Sequence, residues 1–101
     1  MHPSLYLIIQ FDFPTPFQQE HGRKARALHD LLVEQDWIQE VLAASGGIGP
    51  GPSAIWVFKL ANYAALDRLL HSDDPLSKVY KEFFDTMTSV TDIIREEVQF
   101  L

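Results

Sequence analysis

The sequence predicts an α+β domain in which helices cover one face of a four-stranded antiparallel sheet. Two short runs, residues 4–13 and 54–60, are apolar on both of their faces. A strand with one face in water alternates apolar and polar residues instead, so each of these strands needs cover on two sides. Helical spacing of apolar residues follows each run. The helices suffice for one side of the sheet only, which leaves the second side for another copy of the chain.

Composition limits the domain count and the class of partner. A chain of 101 residues is one domain, spanning residues 1–101. It has no cysteine, which excludes disulfides, thiolate catalysis and zinc–thiolate sites. A net charge of −6 disfavours nucleic acid and an anionic membrane surface as partners. The opening Met1-His2-Pro3-Ser4 has no basic segment before a short apolar run, so we expect a cytoplasmic protein.

The first helix is predicted from the residues that follow the first strand. Pro14 ends the strand, Thr15 has the character of an N-cap, and Pro16 suits the first helical position. Gln18 completes a capping box, and the helix is expected to run to about Gln35. Its inner face, at spacings of three and four residues, carries Phe17, His21, Ala25, Leu28 and Leu32.

Residues 37–45 fit a strand about as well as a helix, and periodicity leaves both open. Four of the five glycines then fall between positions 46 and 51, so residues 46–53 form a loop that leads into the 54–60 strand. A phosphate-binding loop needs a Lys-Ser/Thr pair and a following helix, and both are missing here. We therefore interpret the glycine-rich segment as a flexible hairpin loop or a loop at the edge of the dimer.

The second half of the chain predicts two helices and a last strand. Asn62 is placed to cap a helix over residues 63–71, and Asp74 with Pro75 opens the next helix. A strand is expected over residues 90–101. The side chains predicted to point inward from the third helix and its end are Leu76, Val79, Tyr80, Phe83, Phe84 and Met87.

The resulting order, β-α-β-β-α(α)-β, is the ferredoxin-like pattern. It leaves one sheet face bare, and we expect this face to carry Tyr6, Ile8 and one of the side-chain sets of the third strand, with the choice between its two faces left open. An exposed apolar sheet of this size indicates an interface. Two sheets packed face to face give a homodimer with a cavity between them.

The chain also resembles the dimeric α+β barrel superfamily over nearly its whole length. The similarity lies in LYLIIQFDFPTPF, DWIQEVLAASGG, AIWVFKLANYAALDRLLHS and REEVQF. The superfamily includes antibiotic-biosynthesis monooxygenases, EthD-like, NIPSNAP-like and stress-responsive barrel proteins and muconolactone isomerases. The opening QFDFPTPF is most similar to its small monooxygenases. The resemblance implies that residues 37–45 form a strand, and it implies cofactor-independent oxygenation or isomerisation, but no catalytic signature transfers residue by residue.

Three residues are candidates for proton transfer. His21 lies on the inner face of the first helix and His29 is one position off its apolar stripe, and each is alternatively a structural histidine. Asp12 extends from the first strand, where a pairing with Arg95 of the last strand is predicted, with a salt bridge at the sheet margin as the alternative. No His, Asp and Glu set has metal-ligand spacing, and no flavin or nicotinamide fingerprint is present. We therefore predict no metal and no cofactor.

The sequence-based hypothesis is a dimer that binds a small apolar or aromatic molecule between sheet and helices. In that hypothesis a wall of Tyr6 and Trp56 orients the ring of the substrate. The alternative is a non-catalytic dimer that senses a ligand or has a structural role. For Trp56, Phe58 and Tyr80 the alternative is a place in the core. The residues predicted to contact the ligand are Tyr6, Gln10, Trp56, Phe58, Tyr80 and Arg95.

Overall fold

The computed structural model describes residues 3–100 as four strands and three helices. In chain order they are β1 Leu5–Asp12, α1 Gln19–Val33, β2 Ile38–Ser45, β3 Ala54–Leu60, α2 Tyr63–His71, α3 Pro75–Asp85 and β4 Thr88–Glu96. This order confirms the predicted topology, and it settles the ambiguous stretch as a strand. The predicted last strand is too long, because β4 ends at Glu96. Met1, His2 and Leu101 lie outside the described residues.

The strands form one antiparallel sheet in the order β2-β3-β1-β4. The two apolar strands, β1 and β3, lie in the centre, and β2 and β4 form the edges. This is the ferredoxin-like arrangement that the sequence predicts. In the centre of the sheet, both faces of β1 and β3 can be covered, one by the helices and the other by a second layer.

The core lies between the sheet and the helices. Alternate residues of β1, from Leu5 to Phe11, are almost completely buried. On β3 the buried set includes Trp56 and Phe58, which contact aromatic rings of α3. Trp56 and Phe58 therefore take the place in the core that was the alternative for them, and they do not lie on the bare face. Large aromatic side chains gain most from burial, and only the helix-covered side is closed to water in one copy of the chain.

The opposite face of the sheet has no helix over it and is called the open face below. The register aligns four apolar residues in one row across all strands, in the order Leu42, Val57, Ile8 and Ile93. Leu42 and Ile93 at the edges are exposed, and the two central residues are half-buried. The open face therefore carries an apolar band bounded by more polar rows.

The N-terminus of α1 differs from the prediction. The helix begins at Gln19, with Gln18 as N-cap, so Thr15 is not the cap. The backbone N–H of Gln18 donates to Nδ1 of His21 at 3.1 Å, and the N–H of His21 donates to the Gln18 carbonyl at 2.9 Å. The imidazole thus takes the part that a glutamate has in the common capping box.

The other two helices begin where the sequence places them. The Asn62 side chain accepts from the Ala65 N–H at 2.9 Å, and the Asp74 carboxylate accepts from the Leu76 N–H at 3.0 Å. The predicted inward face of α3 is correct except at Val79, which is 37% exposed. Both cap residues act on their own helix, and that is why the sequence alone locates them.

Candidate functional site

The candidate site is a pocket of about 530 Å³ between α1 and the β2–β3 side of the sheet. Trp56 of β3 and Phe13, which follows β1, supply aromatic surface. Ala25 of α1, Ala43 of β2 and Ala54 of β3 line it with small side chains. The volume lies in the range of sites that bind small molecules. The pocket is on the helix-covered side of the sheet, next to the exposed edge strand.

Polar groups of α1 flank this apolar surface. The Nε atom of Arg26 lies 3.9 Å from an Asp30 carboxylate oxygen, and Nδ1 of His29 lies 3.7 Å from the other. The His29 ring meets the Trp56 ring edge-to-face with 6.4 Å between centroids. Arg26 and Asp30 carry opposite charges, so together they offer hydrogen-bonding atoms without adding a net charge to the pocket.

Of the residues predicted for a site, only His29 and Trp56 line this pocket. Phe58 and Tyr80 belong to the core, where their rings lie 6.0 Å apart. Burial raises the pKa of the Tyr80 hydroxyl, and the nearby Asp92 carboxylate adds to the effect. Tyr80 therefore stays neutral at physiological pH and has a packing role.

His21 and Asp12 are both occupied by hydrogen bonds that hold the backbone. Nδ1 of His21 accepts from the Gln18 N–H in the cap of α1. One Asp12 carboxylate oxygen accepts from the Ser53 N–H at 3.1 Å and lies 3.4 Å from the Ser53 hydroxyl. Asp12 thereby joins the end of β1 to the end of the glycine-rich loop.

Tyr6, Gln10 and Arg95 lie on the open face, on the other side of the sheet from Trp56. A single wall built by Tyr6 and Trp56 is therefore excluded. The predicted pairing of Asp12 with Arg95 is also wrong: Asp12 lies opposite Thr88, whereas Arg95 lies opposite Tyr6, six residues away along β1. Side chains on alternate positions share a face, but the antiparallel register sets which of them meet.

Sequence reasoning missed an ion pair on the open face. Nζ of Lys59 lies 2.9 Å from a Glu97 carboxylate oxygen, and the Tyr6 hydroxyl lies 3.4 Å from the same oxygen. Side-chain exposures of 26% and 29% show that both partners are partly shielded from water. The hydrogen bond with Lys59 lowers the pKa of Glu97, and the same bond raises the pKa of Lys59. Lys59 is the one charged residue in the otherwise apolar strand β3, and its presence there could have indicated a charged partner on the open face.

These pKa shifts predict how stability changes with acid. Because the pKa of Glu97 is lower in the folded chain than the ordinary 4.5, its contribution is complete above that value. The contribution disappears as the pH falls through the folded-state pKa. We expect Glu97→Gln to be less stable than the wild type at pH 6, and we expect this difference to shrink as the pH falls below 4.5. Urea unfolding across this range measures the difference.

The control for this titration is Glu82→Gln, an exposed carboxylate on α3. Its difference from the wild type is expected to stay small at every pH, since surface substitutions usually change stability by less than about 0.5 kcal/mol. A Glu97→Gln difference that does not shrink as the pH falls would show that its cause is the shape of the side chain rather than its charge.

A second cavity of about 300 Å³ lies beneath the glycine-rich loop, against Gln10 and Ile55 of the open face. The positive φ values of Gly46 and Gly47, 81° and 82°, explain why glycine starts this loop. The residues that line the cavity include no basic side chain. This agrees with the interpretation of the segment as a hairpin loop rather than a phosphate site.

Residues 3–100 contain neither a metal-binding cluster nor a membrane-spanning helix. No three His, Asp or Glu side chains within this range are arranged to share a metal ion. None of the three helices in the same range has the length and apolar character needed to cross a membrane.

Comparison with known proteins identifies the fold. No family model matches the sequence, and no curated protein matches it. Among solved structures, hydroxynitrile lyase from Passiflora edulis superimposes with a TM-score of 0.78 at 13% identity, covering 100% of this chain and 99% of the lyase. A DABB family protein with a ferredoxin-like fold from Mesorhizobium loti gives 0.75 at 13% identity, over 96% of this chain and 99% of that one.

A dimeric ferredoxin-like protein of unknown function from Thermobifida fusca gives a TM-score of 0.74 at 13% identity, covering 96% of this chain and 93% of that protein. The chain has the ferredoxin-like fold of these proteins. The resemblance to dimeric α+β barrel proteins is thereby confirmed at the level of fold. At 13% identity the likeness says nothing about which residues act, and function has to be argued from the pocket itself.

Proposed function

We propose that the protein binds a small, uncharged aromatic molecule in the pocket between α1 and the sheet, and that His29 exchanges a proton with it. The observation that carries this proposal is the placement of the His29 ring beside Trp56 in a pocket of about 530 Å³. Apolar surface for a ring and one titratable group beside it are the usual composition of a ligand site. The balanced charges of Arg26 and Asp30 favour an uncharged ligand.

The chemistry of His29 suits proton transfer from an acidic C–H group. Nδ1 of His29 faces an Asp30 carboxylate oxygen at 3.7 Å, and we assign Nε2, the other ring nitrogen, as the proton acceptor. When Nε2 takes a proton from a carbon beside a carbonyl group, the products are an imidazolium and the enolate of the ligand. Return of the proton to another carbon completes an isomerisation, and oxygenation would in addition consume dioxygen.

We further propose that the protein acts as a homodimer through its open face. The apolar row of Leu42, Val57, Ile8 and Ile93 crosses the whole sheet, and a contiguous apolar surface of this kind is typical of an interface. The likeness to a Thermobifida fusca protein described as dimeric supports the same assembly. Packing open face on open face gives β1 and β3 their second cover.

The alternative is a non-catalytic ligand-sensing or structural dimer. The observation in its favour is that two of the three candidates for proton transfer, His21 and Asp12, hold the backbone and do not line the pocket. Only His29 then remains for chemistry. The two functions share the pocket and the dimer and differ in whether a bound ligand loses a proton.

Hydrogen–deuterium exchange of 2-tetralone, an uncharged aromatic ketone with acidic C–H groups, separates the two functions. In D2O the wild type is expected to accelerate exchange at the carbon beside the carbonyl group. The His29→Gln variant should lose about 100-fold of this acceleration or more, which is the usual contribution of a general base. NMR spectroscopy of the ketone measures the rate.

His71→Gln is the matched control, because His71 is exposed at the end of α2. It is expected to leave the exchange rate unchanged. Binding of 2-tetralone without accelerated exchange would favour the sensing alternative. Failure of 2-tetralone and of other uncharged aromatic probes to bind the wild type would contradict the proposed function altogether.

A further inference from the structure

The pocket exists because side chains are small at one end of the layer between sheet and helices. On the helix-covered side, the register gives successive rows across β2 and β3: Val41 with Phe58, then Ala43 with Trp56. Val41 and Phe58 belong to the packed core or its border. At the next row the β2 side chain shrinks from valine to alanine, and the pocket begins there.

Three alanines from three different elements complete this space. Ala25 of α1, Ala43 of β2 and Ala54 of β3 all line the pocket together with Trp56. Ala54 is 2% exposed and packed in the core, so a larger side chain there would meet neighbouring core atoms. Ala43 differs, because it is exposed on the edge strand while sharing the helix-covered side with Trp56. Side-chain atoms added at Ala43 enter the pocket rather than the core.

We propose that Ala43 determines how large an aromatic ligand the pocket admits, and that its size suits a ligand of two fused rings. This rests on the proposed function. A single ring placed against Trp56 leaves the space beside Ala43 empty. A second fused ring extends along the wall into that space. A leucine at position 43 would exclude the second ring and tolerate the first.

Binding of phenol and 2-naphthol to the wild type and to Ala43→Leu tests this inference. In calorimetric or NMR titrations, 2-naphthol is expected to bind the variant about ten-fold more weakly, a typical penalty for a pocket that is too small by a few atoms. The affinity for phenol should change by less than about two-fold. Ala64→Leu, at an exposed position on α2, is the control and should bind both probes as the wild type does.

The possible outcomes separate this inference from the proposed function. If both probes bind Ala43→Leu as they bind the wild type, or weaken equally, Ala43 does not select by size and the inference is overturned. If neither probe binds the wild type, the pocket is not a ligand site and both proposals are overturned. Should Ala43→Leu fail to fold, as judged by thermal unfolding, Ala43→Val is used instead. Valine suits a strand and still adds two methyl groups, so the same selective loss of 2-naphthol is expected.

Discussion

Val57→Asp is expected to dissociate the homodimer. Val57 lies at the centre of the apolar row on the open face, between Ile8 of β1 and Leu42 of β2. In the proposed dimer this position is closed off from water by the partner. A carboxylate without a counter-charge there would cost about 3–5 kcal/mol, which weakens association by about 100-fold or more. Light scattering at micromolar concentration should then give the mass of a single chain, 11.5 kDa.

Val79→Asp makes the same chemical change on the other side of the molecule. Val79 is partly exposed on α3, which lies on the helix-covered side. This variant is expected to remain a dimer. A folded Val57→Asp that is still dimeric would place the interface elsewhere, and a wild type that is monomeric at micromolar concentration would contradict the dimer itself.

The proposed dimer interface depends on which face of β1 and β3 the helices cover, and the sequence alone does not show this. Residues of β1 and β3 are apolar on both faces, so periodicity indicates two covers without telling which face the helices take. The structure places Trp56 under the helices and Val57 on the open face. Lys59 points to the same choice, because a charged residue is tolerated on the face that no helix seals.

Local signals in the sequence were sufficient for two helix starts and insufficient for the third. Asn62 and Asp74 each bond to a backbone N–H two or three residues ahead, so the chemistry is contained in a few residues. Before α1, both Thr15 and Gln18 have a suitable partner three residues later. The structure uses Gln18 with His21, whose ring also lies near the Phe13 and Phe17 rings. This packing of the His21 ring, which a cap motif read by itself does not include, distinguishes the pair that the structure uses.

The candidate pocket was the hardest feature to predict. His29 and Trp56 have recognisable chemistry and were proposed from the sequence. Ala25 and Ala43 were missed, because alanine carries no chemical signal and its contribution is the space it leaves. Such a space can be seen only after the register of β2 against β3 is known. Sequence reasoning therefore found part of the chemistry of the pocket and not its shape.

Phe11→Ala is expected to cause the largest loss of stability of any single substitution considered. The Phe11 side chain is 0% exposed, and its ring meets those of Phe84, Phe13 and Trp56 at centroid distances of 5.2, 5.5 and 6.2 Å. Truncating a buried phenylalanine to alanine costs about 3–5 kcal/mol, because the transfer free energy is lost and a cavity remains. Since domains are stable by about 5–15 kcal/mol, much of the margin disappears. Urea unfolding at one fixed protein concentration measures the loss, since dimer stability depends on concentration.

Phe17→Ala is the control, because Phe17 is 60% exposed and its ring meets that of Phe13, which lies at the border of the core. Its loss is expected to stay below about 1 kcal/mol. A loss below about 2 kcal/mol for Phe11→Ala would contradict the assignment of this ring to the centre of the core. Phe11 also contacts Phe13 and Trp56, the two aromatic residues that line the pocket. Affinity for 2-naphthol should therefore fall in Phe11→Ala even where the variant is fully folded, because the ring that supports Trp56 is gone.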